Sequence, residues 1–77
     1  MIIKPLSVEK AAGDSDIAAA RIVRLVNTGA TELVTVGNTD PVSLTILANT
    51  SVIIEKELGA AVGATAAVKA TVVAFTN

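Results

Sequence analysis

The 77-residue chain contains no cysteine, histidine, tryptophan or tyrosine, and Phe75 is its single aromatic residue. The absence of cysteine excludes a disulfide framework. Without cysteine and histidine, the usual structural zinc sites and any Cys- or His-based catalysis are excluded as well. Charged residues make up 17% of the chain, against about 25% in a typical soluble domain. Six basic and seven acidic residues give a net charge of −1, which argues against a basic nucleic-acid-binding surface.

Small aliphatic residues dominate what is present, and hydrophobic residues reach 52%. A domain of this size still exposes roughly 40% of its unfolded surface after folding. A core built from Val, Ile, Leu and many Ala residues buries little area per side chain, so it barely offsets the entropy of ordering the backbone. Because disulfides and zinc are absent, we expect contacts with other subunits to supply part of the stability. The alternative is a compact, marginally stable monomer.

The sequence predicts a single domain made of an N-terminal arm and turn region at 1–20 and a β-sandwich at 21–77. The segment Met1–Lys10 is expected to be extended, because Pro5 restricts it to a sheet edge or to the start of a strand. It lacks the charged start and apolar core of a signal peptide. We expect this arm to reach onto a neighbouring subunit.

The segment Ala11–Ala20 combines small residues with a Gly-Asp-Ser-Asp turn cluster. Asp14 or Ser15 is predicted to cap a brief helical turn over Ile17–Ala20, with a solvated loop as the alternative. Asp14 and Asp16 offer carboxylates to a calcium ion. Two carboxylates without the other positions of a calcium loop are better explained by turn chemistry.

Strand-like runs rich in β-branched residues follow from residue 21 onwards. The third of them, VSLTIL, alternates apolar and polar residues with a period of two, which is typical of a half-buried strand, and Val42, Leu44 and Ile46 should share one face. The fourth run ends in Glu55, Lys56 and Glu57, which predicts a solvated exit. The predicted strands are Arg21–Val26, Thr31–Val36, Val42–Leu47, Ser51–Glu57 and Val68–Thr76, with a loop or a loosely formed strand at Leu58–Ala67.

Asn-Thr dipeptides begin at Asn27, Asn38 and Asn49, eleven residues apart each time. Asn tolerates the left-handed conformation and its side chain satisfies nearby backbone amides, so each dipeptide predicts a turn. Short strands punctuated in this way indicate an all-β fold, a small antiparallel β-sandwich or barrel of about five to seven strands. We interpret the pattern as a meander and not as a repeat array, although a Greek key has the same punctuation and strand order stays open.

A membrane-spanning helix is an alternative for Leu58–Phe75, which holds a single charge and contains Gly59-x-x-x-Gly63. Lys69 lies well inside this stretch, and the β-branched residues after Val68 disfavour a helix. We therefore predict no membrane partner.

The last strand should carry apolar residues on both faces, with Val68 and Val72 on one and Val73 and Phe75 on the other. The core of the same chain would bury one face of such a strand, and another partner would bury the opposite face. The run around Arg24 has the same two-sided character, and Arg21 and Arg24 are expected to face acidic groups on another subunit. We predict no catalytic, cofactor-binding or metal-ligating residue, and the candidate interface residues are Ile2, Ile3, Leu6, Arg21, Val23, Arg24, Leu25, Val73 and Phe75.

The stretch from Ile22 to Asn77 resembles the small β-sandwich structural proteins of tailed bacteriophages, especially those of marine cyanobacterial viruses. The resemblance lies in RIVRLVNTGATELVTV, followed by a hairpin into SLTILANTSVIIEKE and a terminal VKATVVAFTN. It implies a non-enzymatic virion component, a decoration or cement protein that binds across capsid subunits. It also implies a homo-oligomer, for which we expect a trimer, on the capsid surface and in the host cytoplasm during assembly.

Two other classes stay open. The first is a neck, tail or fibre-associated module that recognises protein or glycan, although sugar sites favour an exposed aromatic and Phe75 is predicted to be buried. The second is a helical, membrane-associated coat protein formed through Leu58–Phe75.

Overall fold

Short aliphatic runs between turn residues fold into strands throughout the computed structural model, which describes residues 2–76. Met1 and Asn77, which belong to the predicted arm and to the resemblance, lie outside the described residues. The predicted all-β class is confirmed. Two two-residue strands raise the number above the expected range. In chain order the elements are β1 (Ile2–Pro5), β2 (Lys10–Ala11), α1 (Ser15–Ala18), β3 (Ile22–Asn27), β4 (Glu32–Val36), β5 (Val42–Ile46), β6 (Ser51–Glu55), β7 (Val62–Gly63) and β8 (Val68–Thr76).

The strands form two antiparallel sheets. One has the order β1-β8-β3-β6, with β2 also paired to β8, and the other has the order β5-β4-β7. Strand β3 pairs with β6 and β8, whereas β4 pairs with β5 and β7. The expected meander is therefore wrong. Strands β3 and β4 together form one arm of a long hairpin, and β5 and β6 form the other arm. The β3–β6 pair lies in the first sheet and the β4–β5 pair in the second, so the hairpin bends between the two pairs.

Asn27 lies at this bend and is fully buried. Its Nδ2 donates to the carbonyl oxygens of Ala30 (2.7 Å) and Ile46 (3.0 Å), and its Oδ1 accepts from the Gly29 N–H (2.9 Å). Its own N–H donates to the Thr50 carbonyl at 2.9 Å. One amide side chain thus joins both arms of the long hairpin where it crosses between the sheets.

The core fills the space between the two sheets with aliphatic side chains. Strand β3 alternates strictly, so that Val23, Leu25 and Asn27 point inward while the residues between them are half-buried. The other sheet contributes Val34, Val36 and Ile46 to the same core. The buried core residues are Ala12, Ile17, Ala20, Val23, Leu25, Val34, Val36, Ile46, Val62, Val68 and Ala70.

Helix α1 closes one part of this core. The predicted brief helical turn is confirmed and Asp14 is its cap, since the Asp14 side chain accepts from the Asp16 N–H at 2.9 Å, but the turn covers Ser15–Ala18 and not Ile17–Ala20. The solvated-loop alternative is wrong, because Ile17 is fully buried. Lys10 bridges from β2 to Asp16 at 2.9 Å. This hydrogen bond to the Asp16 carboxylate raises the pKa of Lys10.

Within the predicted arm and turn region, residues 2–20 do not form a separate layer. Strands β1 and β2 both pair with β8, so the predicted arm joins its own chain's sheet instead of extending away from it. The face that Val42, Leu44 and Ile46 were predicted to share on β5 is buried only at one end. Ile46 is buried and Leu44 half-buried, but Val42 is exposed because β5 is an edge strand whose first residue lies beyond the core.

The stretch Leu58–Phe75 contains β7 and most of β8 and is not helical, which removes the helical coat-protein alternative. Across residues 2–76, no helix has both the length and the apolar character needed to cross a membrane. The short strand β7 lies close against β4. A Cβ at Gly63 would overlap the Thr35 hydroxyl, so glycine permits the approach.

Candidate interaction surface

The first strand and the end of the last strand form a two-stranded extension of the larger sheet. Ile2–Pro5 pairs antiparallel with Val73–Thr76, with Ile3 opposite Phe75. Strand β3 pairs with β8 as far as Val72, and beyond that point β8 continues paired with β1. We call Ile2–Pro5 together with Val73–Thr76 the terminal ribbon.

The terminal ribbon and the residue that follows β1 carry large apolar side chains in contact with solvent. The exposed fractions are 65% for Ile2, 42% for Ile3, 55% for Leu6 and 42% for Phe75. Residues 2–76 therefore leave more than half of Ile2 and Leu6 uncovered and about two fifths of Ile3 and Phe75. Ile3 and Phe75 are cross-strand neighbours on one face of the ribbon and form one exposed apolar patch, whereas Ile2 lies on the opposite face. Isolated exposed aliphatic residues are common, but adjacent ones form patches that mark interaction sites.

The outer edge of β1 is poorly suited to pairing with a further strand. The Leu6 N–H donates to the Val72 carbonyl at 2.7 Å, so the N–H groups of even-numbered residues point towards β8. The positions of Ile3 and Pro5 therefore face away from β8, and proline has no N–H to offer there. The expectation that Pro5 marks an edge is confirmed. A partner would contact the side-chain faces of the ribbon and would not extend its hydrogen-bond ladder.

The structure brings together only part of the predicted interface. Ile2, Ile3 and Phe75 lie in the terminal ribbon, and Leu6 follows it directly. Val73 is also part of the ribbon, but its side chain is almost fully buried. Phe75 was expected to be buried and this expectation is wrong, because β8 runs past the end of β3 and leaves the ring uncovered.

The predicted interface residues of β3 lie elsewhere. Val23 and Leu25 are fully buried in the chain's own core, so they do not contribute to its surface. Arg21 is exposed and Arg24 is half-buried, opposite Ile53 and Thr71 on the neighbouring strands. The apolar residues on the outer face of this run, Ile22 and Val26, are half-buried within the described chain.

A groove that the sequence did not reveal lies between two loops. Two adjoining cavities of about 340 Å³ each share Gly37, Thr39, Glu57 and Ala60 in their lining. We call them together the loop groove. The Asn38 side chain holds the loops together. Its Nδ2 donates to the Gly59 carbonyl (2.8 Å), and its Oδ1 accepts from the Ala61 N–H (3.2 Å). The remaining lining residues are Val36, Asn38, Asp40, Val42, Glu55, Lys56, Leu58 and Gly59.

The rim of the loop groove is acidic. Asp40, Glu55 and Glu57 are all exposed and line it. The only ion pair between side chains of residues 2–76 is that of Lys10 with Asp16, so none of these three carboxylates forms a side-chain ion pair within the described chain. Lys56 lines the second cavity with them, and its ammonium group is hydrogen-bonded to backbone carbonyls instead. The solvated exit predicted for Glu55 and Glu57 is confirmed.

Lys56 was predicted to be solvated too, and this is wrong. It is only 7% exposed. Its Nζ donates to the carbonyl oxygens of Ala18 (2.7 Å), Ala20 (2.6 Å) and Glu57 (3.4 Å). The ammonium group thus donates to carbonyl oxygens at the C-terminal end of α1 and just beyond it, and this links the helix to the residues that follow β6. Burial lowers the pKa of Lys56, because desolvation disfavours the charged form.

Residues 2–76 hold no cluster of three or more acidic side chains placed to bind a metal ion. Large apolar side chains are also exposed outside the ribbon and the groove, at Val8, Leu33, Leu47 and Ile53. Comparison with protein-family models, with curated proteins and with solved structures finds no match to this chain.

Proposed function

We propose that this protein is a non-enzymatic structural protein that docks onto other protein subunits in a larger assembly. The observation that supports the proposal is the terminal ribbon, where Ile2, Ile3 and Phe75 are exposed on paired strands. In a lone molecule such a ribbon leaves apolar surface in contact with water, which promotes aggregation. In an assembly the same area contributes about 25 cal/mol per Å² when a neighbour covers it.

In its specific form, the proposal is a capsid decoration protein that binds across capsid subunits on the outside of a bacteriophage particle. The strand pattern of Ile22 to Asn77 supports this form through its resemblance to small phage β-sandwich proteins. Cementing a shell requires a compact fold with contact surfaces and no active site. A small homo-oligomer at the junctions between capsid subunits would meet that requirement.

The test compares virus particles assembled with and without the protein. Particles without it should release their genome several degrees lower on heating, measured with a nucleic-acid-binding dye. Adding purified wild-type protein back should restore the release temperature. The double variant Ile3→Thr/Phe75→Thr should fail to restore it, whereas Leu33→Thr should succeed, because Leu33 is also exposed but lies on β4, away from the ribbon. Unchanged heat resistance without the protein would contradict the cementing role.

A second candidate is a neck, tail or fibre-associated module that recognises protein or glycan. One observation favours it, namely that Phe75 is exposed and could stack on a sugar ring. The same particles distinguish the two functions. A recognition module predicts normal heat resistance with weakened adsorption to host cells, and Phe75→Ala should then reproduce the adsorption defect.

A further inference from the structure

The terminal ribbon carries one charged side chain. In Ile2-Ile3-Lys4-Pro5 the alternation of a strand places Ile2 and Lys4 on one face, with Leu6 following on the same side. Lys4 is exposed, and it forms no ion pair with another side chain of the described chain. The ribbon face therefore presents a single positive charge between two exposed aliphatic side chains.

The loop groove offers the complementary arrangement. Glu57 lines both of its cavities, and Asp40 and Glu55 line the second. Exposed aliphatic side chains stand next to these carboxylates, with Leu58 lining the first cavity and Val42 the second. A segment with one cation flanked by aliphatic residues fits this groove in both charge and apolar character.

The two surfaces cannot meet within one molecule. Strand β1 is at one edge of the order β1-β8-β3-β6, and β6, which leads into the groove at Glu55, is at the other. Three strand spacings of about 4.8 Å separate these edges by roughly 14 Å. A contact between ribbon and groove must therefore join two copies.

We propose that the terminal ribbon of one copy docks in the loop groove of a second copy, with Lys4 against Glu57. This inference rests on the proposed structural role and names the partner as a second copy of the chain. The contact uses different surfaces on the two copies, so it closes into a ring if the rotation between copies permits and otherwise forms an open filament. A small ring agrees with the homo-oligomer that the sequence favours.

Charge favours this arrangement over a two-fold contact between ribbons. A ribbon-to-ribbon dimer would bring both copies of Lys4 into one small interface with no acidic residue of the ribbon to pair with them, while both lose water. Like charges in that position oppose association. The ribbon-to-groove contact instead gives Lys4 an acidic partner and reduces the repulsion among the three groove carboxylates.

Charge reversal tests the proposal. Sedimentation velocity of the full chain over a range of concentrations should show a wild-type oligomer that weakens with salt. Lys4→Glu and Glu57→Lys should each weaken association about 10-fold or more, and the double variant Lys4→Glu/Glu57→Lys should recover most of that loss. Lys69→Glu and Glu9→Lys change the net charge equally at positions outside both surfaces and should leave association unchanged. Circular dichroism confirms that each variant is folded.

Two outcomes would overturn the proposal. One is a wild-type chain that stays monomeric at every accessible concentration. The other is association that Lys4→Glu leaves unchanged or strengthens, which would indicate a ribbon-to-ribbon contact or a different surface. Either result leaves the proposed function to be decided separately, because add-back to particles measures docking onto capsid subunits whether or not the free chain associates with itself.

Discussion

Replacing Asn27 with alanine should lower the free energy of unfolding by about 3 kcal/mol. The substitution removes the donors to the Ala30 and Ile46 carbonyls and the acceptor for the Gly29 N–H. These backbone groups lie around a fully buried position, so water replaces the lost partners poorly. The bend that carries the long hairpin between the two sheets would lose its only buried polar side chain.

The other two asparagines of the eleven-residue spacing provide the matched controls. The Asn38 side chain makes its two hydrogen bonds at the surface, and Asn49 is a turn residue with a φ of 59°. Alanine at either position should cost about 1 kcal/mol or less, through an exposed hydrogen bond in one case and left-handed backbone strain in the other. Urea denaturation at low protein concentration measures all three. Equal losses at the three positions would show that Asn27 has no special role at the bend.

The second large effect is expected at Lys56, where methionine should destabilise the fold by about 2 kcal/mol. Methionine keeps most of the aliphatic volume but leaves the Ala18 and Ala20 carbonyls without the donor that reaches them at 2.7 and 2.6 Å. Lys69→Met is the control, because Lys69 is half-buried and its ammonium group forms no hydrogen bond or ion pair with other residues of 2–76. Thermal unfolding of both variants measures the difference. A Lys56→Met variant as stable as Lys69→Met would mean that relief from burying the charge offsets the lost hydrogen bonds.

The stability difference between the wild type and Lys56→Met should also depend on pH. The pKa of Lys56 is lowered in the folded state from the ordinary value of 10.5. Between the folded and unfolded pKa values the unfolded chain binds more protons, so stability rises with pH in that interval. The stability of the wild type relative to Lys56→Met should therefore increase as the pH is raised towards 10.5.

Local patterns in the sequence were sufficient to locate the longer strands, but they did not predict the two-residue strand β2. The β-branched run of β8 was predicted with its observed bounds, and Asn27, Asn38 and Asn49 lie at a bend, in a loop and in a turn as their side chains suggest. Strand order was not predictable in this way. It depends on contacts such as the one from Asn27 to Ile46, nineteen residues away, which no local period encodes.

Burial of single residues was also hard to predict where strands end. The sequence pattern predicts that Lys56 is solvated at the end of a strand. In the structure its ammonium group is hydrogen-bonded to carbonyl oxygens at the end of α1 and just beyond it, far away in the chain. Phe75 reads as a core residue, yet it lies beyond the last residue of β8 that pairs with β3. In both cases burial depends on which element lies alongside, and that depends on the tertiary fold.

The candidate surface was foreseen in part. Ile2, Ile3 and Leu6 were expected at an interface because a thin sandwich needs neighbours, and they are exposed on or beside the terminal ribbon. The loop groove was not foreseen, because it is assembled from two loops about twenty residues apart in the chain, joined by Asn38 and Gly59. The sequence signal for it is weak, since Asn38 is equally compatible with an isolated turn.

Amide hydrogen exchange on the intact chain tests most directly whether a neighbour completes the terminal ribbon. We predict that exchange of the Lys4 and Ala74 amides, which the register places in the ladder between β1 and β8, slows by at least tenfold when the chain passes from dilute solution into its assembled state, because a neighbour that covers the ribbon suppresses its local opening. The exchange of β4 amides should stay constant. Exchange of the ribbon that is identical in both states, with new protection confined to other surfaces, would contradict the account.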